Sequence, residues 1–133
     1  MASQADIAAR VKVSITDGVA HVCLTRADKR NALDDAMFQA IAAAGERVKN
    51  DTSVRAVVLS GDGPSFCAGL DFGGFKAMGS GGAGNGSATA AGLMKEGRIT
   101  HLAQQICWVW QEVPVPVIAA LRGHALGGGM QLA

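Results

Sequence analysis

The amino-acid sequence predicts an α/β layered architecture with crossover connections between strands. Three observations predict it. Asp17-Gly18 joins two short β-rich runs, 11–16 and 19–25. Two continuous apolar runs, 54–61 and 117–121, each lead into a glycine-bearing corner. Stretches of helical periodicity precede both runs, so strands alternate with helices.

Each element has its own signal. Asp-Gly between alternating apolar residues predicts a hairpin, because a type I′ turn needs positive φ at both central positions. A polar loop, "RADKRN", follows. A helix is predicted from about Asp34 to Lys49. Asp34 and Asp35 suit the positive end of its dipole, and Met37, Ile41, Ala44 and Val48 recur at helical spacing. "VRAVVLSG" at 54–61 reads as a strand buried on both faces. Residues 73–92 hold eight glycines, and the entropy of ordering them predicts a mobile surface segment. Ile99, Leu102, Ile106, Val109 and Val113 form the apolar stripe of a second helix, with Trp108 and Trp110 on its flanks. Pro114 and Pro116 end that helix, and 117–121 reads as a second buried strand. A third helix starts at Gly127–Gly129 with only Met130 to Ala133 to propagate it. So few residues do not offset the cost of nucleation. The chain therefore reads as cut inside an element, with the working protein longer.

Composition narrows the function classes. The 133 residues make at most one domain, and 49% hydrophobic with 17% charged residues describes a globular protein with a core. Formal net charge is +1, Lys29-Arg30 is the only basic pair, and no aromatic residues interleave with basic ones, which argues against a nucleic-acid partner. Cys23, Cys67 and Cys107 lie far apart without CxxC spacing. Free thiols in a reducing compartment are expected, with neither a disulfide frame nor a metal site. The N-terminus has no apolar signal region, and no apolar run approaches ~18 residues, so neither a signal peptide nor a membrane span is read. The expectation is a cytoplasmic protein.

The chemistry concentrates at two strand-to-helix corners, "GPSFCAGLDFGGF" (63–75) and "GHALGGGMQLA" (123–133). Both lie at the C-terminal edge of a strand, where ligands sit in open α/β sheets. Gly69 and Leu70 at one corner, and Gly127 to Gly129 at the other, offer backbone N–H groups that a ligand can approach closely. Facing each other, two such corners could hold one anionic oxygen. Losing one donor of an oxyanion hole typically costs ~2.7–4 kcal/mol in the transition state. Tight helix–strand packing or a sharp turn is the other reading of Gly127–Gly129. A dinucleotide fingerprint is discounted because neither strand-to-helix corner carries G-x-G-x-x-G.

"RADKRNAL", "SGDGPSFCAGLDF" and "PVPVIAALRGHALGGGMQLA", in that order, resemble the N-terminal half of the crotonase superfamily, the enoyl-CoA hydratase/isomerase family. The likeness runs from about Val11 to Ala133. It implies a spiral of repeated β-β-α units, acyl-CoA thioester substrates, trimers or hexamers, and no cofactor apart from the coenzyme A of the substrate. It implies that the thioester enolate is held by two backbone N–H groups, which fall on Leu70 and Gly128. Ala68, Gly69, Asp71 and Phe72 would lie along the adenine and pantetheine, and Gly127 beside the second donor. The "DKRNA" loop, through Ala32, would add contacts, with Lys29 and Arg30 near phosphate; a solvated turn is the other reading of that pair. Phe72 and Phe75 would line the acyl pocket or anchor the core.

One position departs from the pattern. The family commonly carries a carboxylate three residues after the middle glycine, and here that residue is Gln131. Glutamine orients a water but accepts no proton at neutral pH. The second carboxylate would fall beyond Ala133. Asp71 matches a position that is structural or near coenzyme A, His124 sits at a helix entry, and Cys67 has no evident histidine partner. Three readings follow: a hydratase or isomerase, with Gln131 favouring the isomerase because it needs one base; a non-catalytic acyl-CoA binder or assembly subunit; or an inactive truncated fragment.

Overall fold

A computed structural model of the chain describes residues 2–73 and 96–133. Most of the glycine-rich stretch expected to be mobile, with Phe75, lies outside the described residues.

Helix α1 (Gln4–Ala8), which is not among the elements predicted from the sequence, opens the chain. Ser3 caps it through a reciprocal pair with Asp6. Strands β1 (Val11–Thr16) and β2 (Val19–Leu24) form the expected hairpin, with Val13 opposite Val22. Asp17 and Gly18 have φ of 50° and 80°, the two positive values a type I′ turn requires. Helix α2 (Asp35–Asn50) crosses over to β3 (Ala56–Gly61), which runs parallel to β2 with Leu59 opposite Val22. Helix α3 (Leu102–Glu112) then leads to β4 (Val117–Ala119), parallel to β3. The sheet order is β1-β2-β3-β4. A short helix, α4 (Gly128–Leu132), follows the second corner. Its five residues do form a helix, because Leu132 is buried in the core and supplies tertiary contacts that an isolated turn lacks.

The helices bury the stripes expected of them. The Asp34 carboxylate caps α2 by accepting the Met37 N–H at 2.8 Å, and Met37, Ile41, Ala44 and Val48 all face the core. In α3, Ile106 and Val109 are buried, Trp110 is buried and Trp108 is exposed. Ile99 lies outside that helix and is 79% exposed, because His101 caps its start.

The strands correct one expectation. Ala20, Val22 and Leu24 of β2, with Val57 and Leu59 of β3, point at α2 and α3 and are fully or almost fully buried. On the opposite side Val58 is only half-buried, and Ile118 of β4 is 58% exposed. Neither apolar run is buried on both faces among the described residues. The helices cover one face only.

The α2–α3 contact is set by Gly45, where an added Cβ would overlap both γ-methyl groups of Val109. Gly45→Ala is expected to destabilise the full chain by ~1–3 kcal/mol through overpacking. Val109→Ala in the same chain should offset part of that loss, so the double variant loses less than the two single losses added together. Urea midpoints of the four proteins check this.

Candidate functional site

The site begins in the loop between β2 and α2. A single 3-10 turn (Ala27–Lys29) is followed by Arg30 and Asn31 in the left-handed region, with φ of 50° and 56°. That reversal carries Asn31 fully into the interior. Its Oδ1 accepts the Arg26 N–H at 2.8 Å. Its Nδ2 donates to three carbonyls, Asp62 at 3.0 Å, Ser65 at 3.0 Å and Phe66 at 3.1 Å. One buried carboxamide thus ties the loop to the chain leaving β3. Asn31 lies inside the "DKRNA" loop, where the family resemblance points instead to Lys29, Arg30 and Ala32; Lys29 and Arg30 are exposed.

From there residues 66–71 run extended between two neighbours. On one side, Ala68 N–H donates to the Arg30 carbonyl at 2.9 Å, Leu33 N–H to the Gly69 carbonyl at 2.7 Å, and Asp71 N–H to the Leu33 carbonyl at 3.0 Å. Leu33 and Leu70 therefore form an isolated parallel bridge. On the other side, Phe66 N–H donates to Arg122 at 2.7 Å, Cys67 N–H to His124 at 3.1 Å, and Leu126 N–H to Cys67 at 3.0 Å. Cys67 and Ala125 make a second parallel bridge. The two corners identified in the sequence are hydrogen-bonded to each other.

Glycines sit where the corners touch. A Cβ on Gly69 would stand 2.7 Å from the Leu126 carbonyl oxygen, and one on Gly129 2.5 Å from that of Cys67. Gly127 has open space around it but a φ of +51°. Packing and turn geometry therefore account for Gly127 and Gly129. Gly128 is different, since a Cβ there would meet only the flexible tip of Leu33, at 2.8 Å.

The Leu33–Leu70 bridge uses the carbonyl before Leu70 and the N–H after it, so the Leu70 N–H points away from Leu33. Among the described residues neither that N–H nor the Gly128 N–H has an acceptor. By contrast Gly129 and Gln131 donate to Leu126 and Gly127, at 2.8 and 3.1 Å. Around these groups Ala32 and Gly69 are buried, Ala68 and Gly128 are half-buried, and Leu70, Phe72 and Gly127 are exposed. Gln131 is exposed too, at the edge of an open cleft of about 550 Å³ whose other wall is α3, with Ala103, Cys107 and Trp108.

The charged groups form a chain. Arg10 holds Asp34 at 2.9 Å, and Arg26 Nη1 reaches Asp71 at 2.7 Å and Asp34 at 3.3 Å. Hydrogen bonding from Arg26, and then from the Gly73 N–H, holds the Asp71 carboxyl below its ordinary range. Burial pushes the Cys67 thiol up, and its Sγ lies 3.1 Å from the Asn31 carbonyl. A desolvated thiol of this kind is a poor nucleophile. His124 is exposed, with Nδ1 3.4 Å from Ser65 Oγ. Among the described residues no cluster of His, Cys, Asp or Glu could hold a metal ion, and no helix is long and apolar enough to cross a membrane.

A sheet built from a β-β-α unit, with two glycine corners meeting at its strand ends, is the architecture of crotonase-type α/β proteins. The chain belongs to the enoyl-CoA hydratase/isomerase family, whose profile matches residues 14–133. It is 32% identical over 114 residues to the mouse mitochondrial Δ(3,5)-Δ(2,4)-dienoyl-CoA isomerase, covering 86% of this chain and 34% of that protein. A Mycobacterium tuberculosis protein named as a probable enoyl-CoA hydratase is 35% identical over 123 residues, covering 92% and 43%. The crystal structure of an enoyl-CoA hydratase/carnithine racemase from Magnetospirillum magneticum superposes with a TM-score of 0.76 at 29% identity, covering 93% of this chain and 43% of that one. The chain thus spans less than half the length of these relatives.

Two outcomes test the site's construction. Asn31→Ala should cost ~1–3 kcal/mol by orphaning buried carbonyls, and should open Cys67 to thiol reagents; a urea midpoint and a labelling rate report both. For Asp71, the folded-state pKa lies below the unfolded value. Its pairing with Arg26 therefore contributes fully above about pH 4 and is lost as pH falls through the depressed folded value. Protection of the Gly73 amide, as its exchange rate relative to the intrinsic rate at each pH, should fall over that acid range in the native protein and stay level in Asp71→Asn.

Proposed function

We propose that the chain binds an acyl-CoA thioester and holds its enolate oxygen between the Leu70 and Gly128 N–H groups. The observation that carries this reading is the pair of unmatched N–H groups at two corners that hydrogen bonds join. Preorganised backbone donors need no reorientation as charge develops, which is where an oxyanion hole gains its effect. On this reading residues 1–133 form the N-terminal part of an acyl-CoA-binding domain. Ala68, Gly69, Asp71, Phe72 and Gly127 border the substrate. Ala32, Lys29 and Arg30 flank the coenzyme A, whose phosphates meet the two exposed cations. No separate cofactor takes part, and the complete protein acts in the cytoplasm as a trimer or hexamer.

The reaction follows from what stands three residues after Gly128. Gln131 hydrogen-bonds and does not titrate, so it orients water or substrate while a base elsewhere moves the proton. Isomerisation, which needs one base, fits this better than hydration. The names of the mouse isomerase and the mycobacterial hydratase are compatible with either. Gln131 also favours a second reading, an acyl-CoA binder without turnover.

Saturating butyryl-CoA should slow hydrogen exchange of the Leu70 and Gly128 amides in the full chain at least about tenfold, as expected when a free N–H gains an acceptor. Unchanged exchange at both amides sinks the site assignment. Protection without conversion of an enoyl-CoA favours the binder.

A further inference from the structure

We propose that Arg26 is a positioning residue for the first oxyanion donor, clamping the Leu33–Leu70 bridge so that the Leu70 N–H faces the substrate; this rests on the enolate-binding reading above. The Arg26 side chain is 14% exposed, and its Nη1 meets three acceptors: Asp71 Oδ2 at 2.7 Å, the Ala32 carbonyl at 3.0 Å and Asp34 Oδ2 at 3.3 Å. These acceptors flank the bridge on both strands. Ala32 and Asp34 stand on either side of Leu33, and Asp71 directly follows Leu70.

That bridge is two hydrogen bonds at the far end of the extended segment, beyond the Ala68–Arg30 bond and the Cys67–Ala125 bridge. Past those contacts the chain can twist about its own axis, and twisting is what would swing the Leu70 N–H. The planar guanidinium resists this by fixing the residue after Leu70 to the residues around Leu33. Arg26 is itself anchored. Its N–H donates to Asn31 Oδ1 at 2.8 Å, and its carbonyl accepts the Asn31 N–H at 2.9 Å. Asp34 cannot turn away, because Arg10 holds it through Nε and Nη2 at 3.2 and 2.9 Å while it caps α2. The Leu70 donor is therefore referenced to the start of α2 through two cations. A donor must sit about 2.7–3.1 Å from the oxyanion, and an error near 1 Å can cost about a hundredfold in rate.

The test is the thioester carbonyl stretch of bound butyryl-CoA, read by difference infrared spectroscopy on the full chain. Two N–H donors polarise that carbonyl, so the unaltered protein is expected to shift the band to lower frequency. Arg26→Met should lose about half of this shift, the share of one misplaced donor of two. Its butyryl-CoA dissociation constant should rise less than about threefold, because the coenzyme A contacts remain. Asp71→Asn, which leaves Arg26 on Asp34 and Ala32, should weaken the shift in the same direction, and it decides the matter if Arg26→Met does not fold. A full shift in Asp71→Asn and in any folded Arg26→Met overturns the positioning role alone. No shift in the unaltered protein overturns the enolate-binding reading, and this inference with it.

Discussion

The buried carboxamide of Asn31 is the constraint on which the rest of the site depends. Four hydrogen bonds to one side chain fix where the β2–α2 loop lies against the chain leaving β3. Each later step in the assembly assumes that placement. Arg30 meets Ala68 only because the loop has already turned inward, and Leu33 reaches Leu70 for the same reason. The extended segment so fixed offers its other edge to residues 122–126, which brings the second glycine corner alongside the first. Buried amides of this kind have high stakes. Satisfied, they specify one arrangement; left partly paired, they cost more than an apolar replacement.

The glycine triplet divides along the same lines. Gly127 answers to a backbone angle and Gly129 to the approach of the Cys67 carbonyl, so both belong to the architecture. Gly128 meets only a flexible leucine tip. Its side-chain-free face is not demanded by the fold to the same degree. Reading the cluster as a whole, as a turn or as a ligand site, merges roles that geometry separates residue by residue.

Much of the fold was legible in the sequence, because its signals are local. The Asp17-Gly18 turn, the Met37–Ile41–Ala44–Val48 stripe and the helix ended by Pro114 and Pro116 follow from neighbours a few residues apart. Failures came where a long-range partner decides. A run such as Ala56–Gly61 does not say whether one sheet face or two will be covered, and here one is. Ile99 kept the period of the α3 stripe but fell outside the cap at His101. At the site, the two corners and Gln131 were visible as motifs. Asn31 and Arg26 were not, since their importance lies in which distant carbonyls and carboxylates they meet. An amide beside a basic pair carries no mark of three future acceptors.

That contrast follows from the kind of site proposed above. A hole made of N–H groups has no side chain to recognise, because every residue but proline carries the donor. What must be specified is the path of the backbone, and the path is set by residues that need never touch a ligand. Asn31, Arg26 and Gly129 act in that way, through a clamp or a close approach. On the proposed reading, side chains facing the ligand are then free to differ without moving the donors, as Gln131 would illustrate. The electrophilic half of such a site and its proton-transferring half are separable in physical terms. The first is a property of how the chain is folded, and the second of which titratable groups stand beside it.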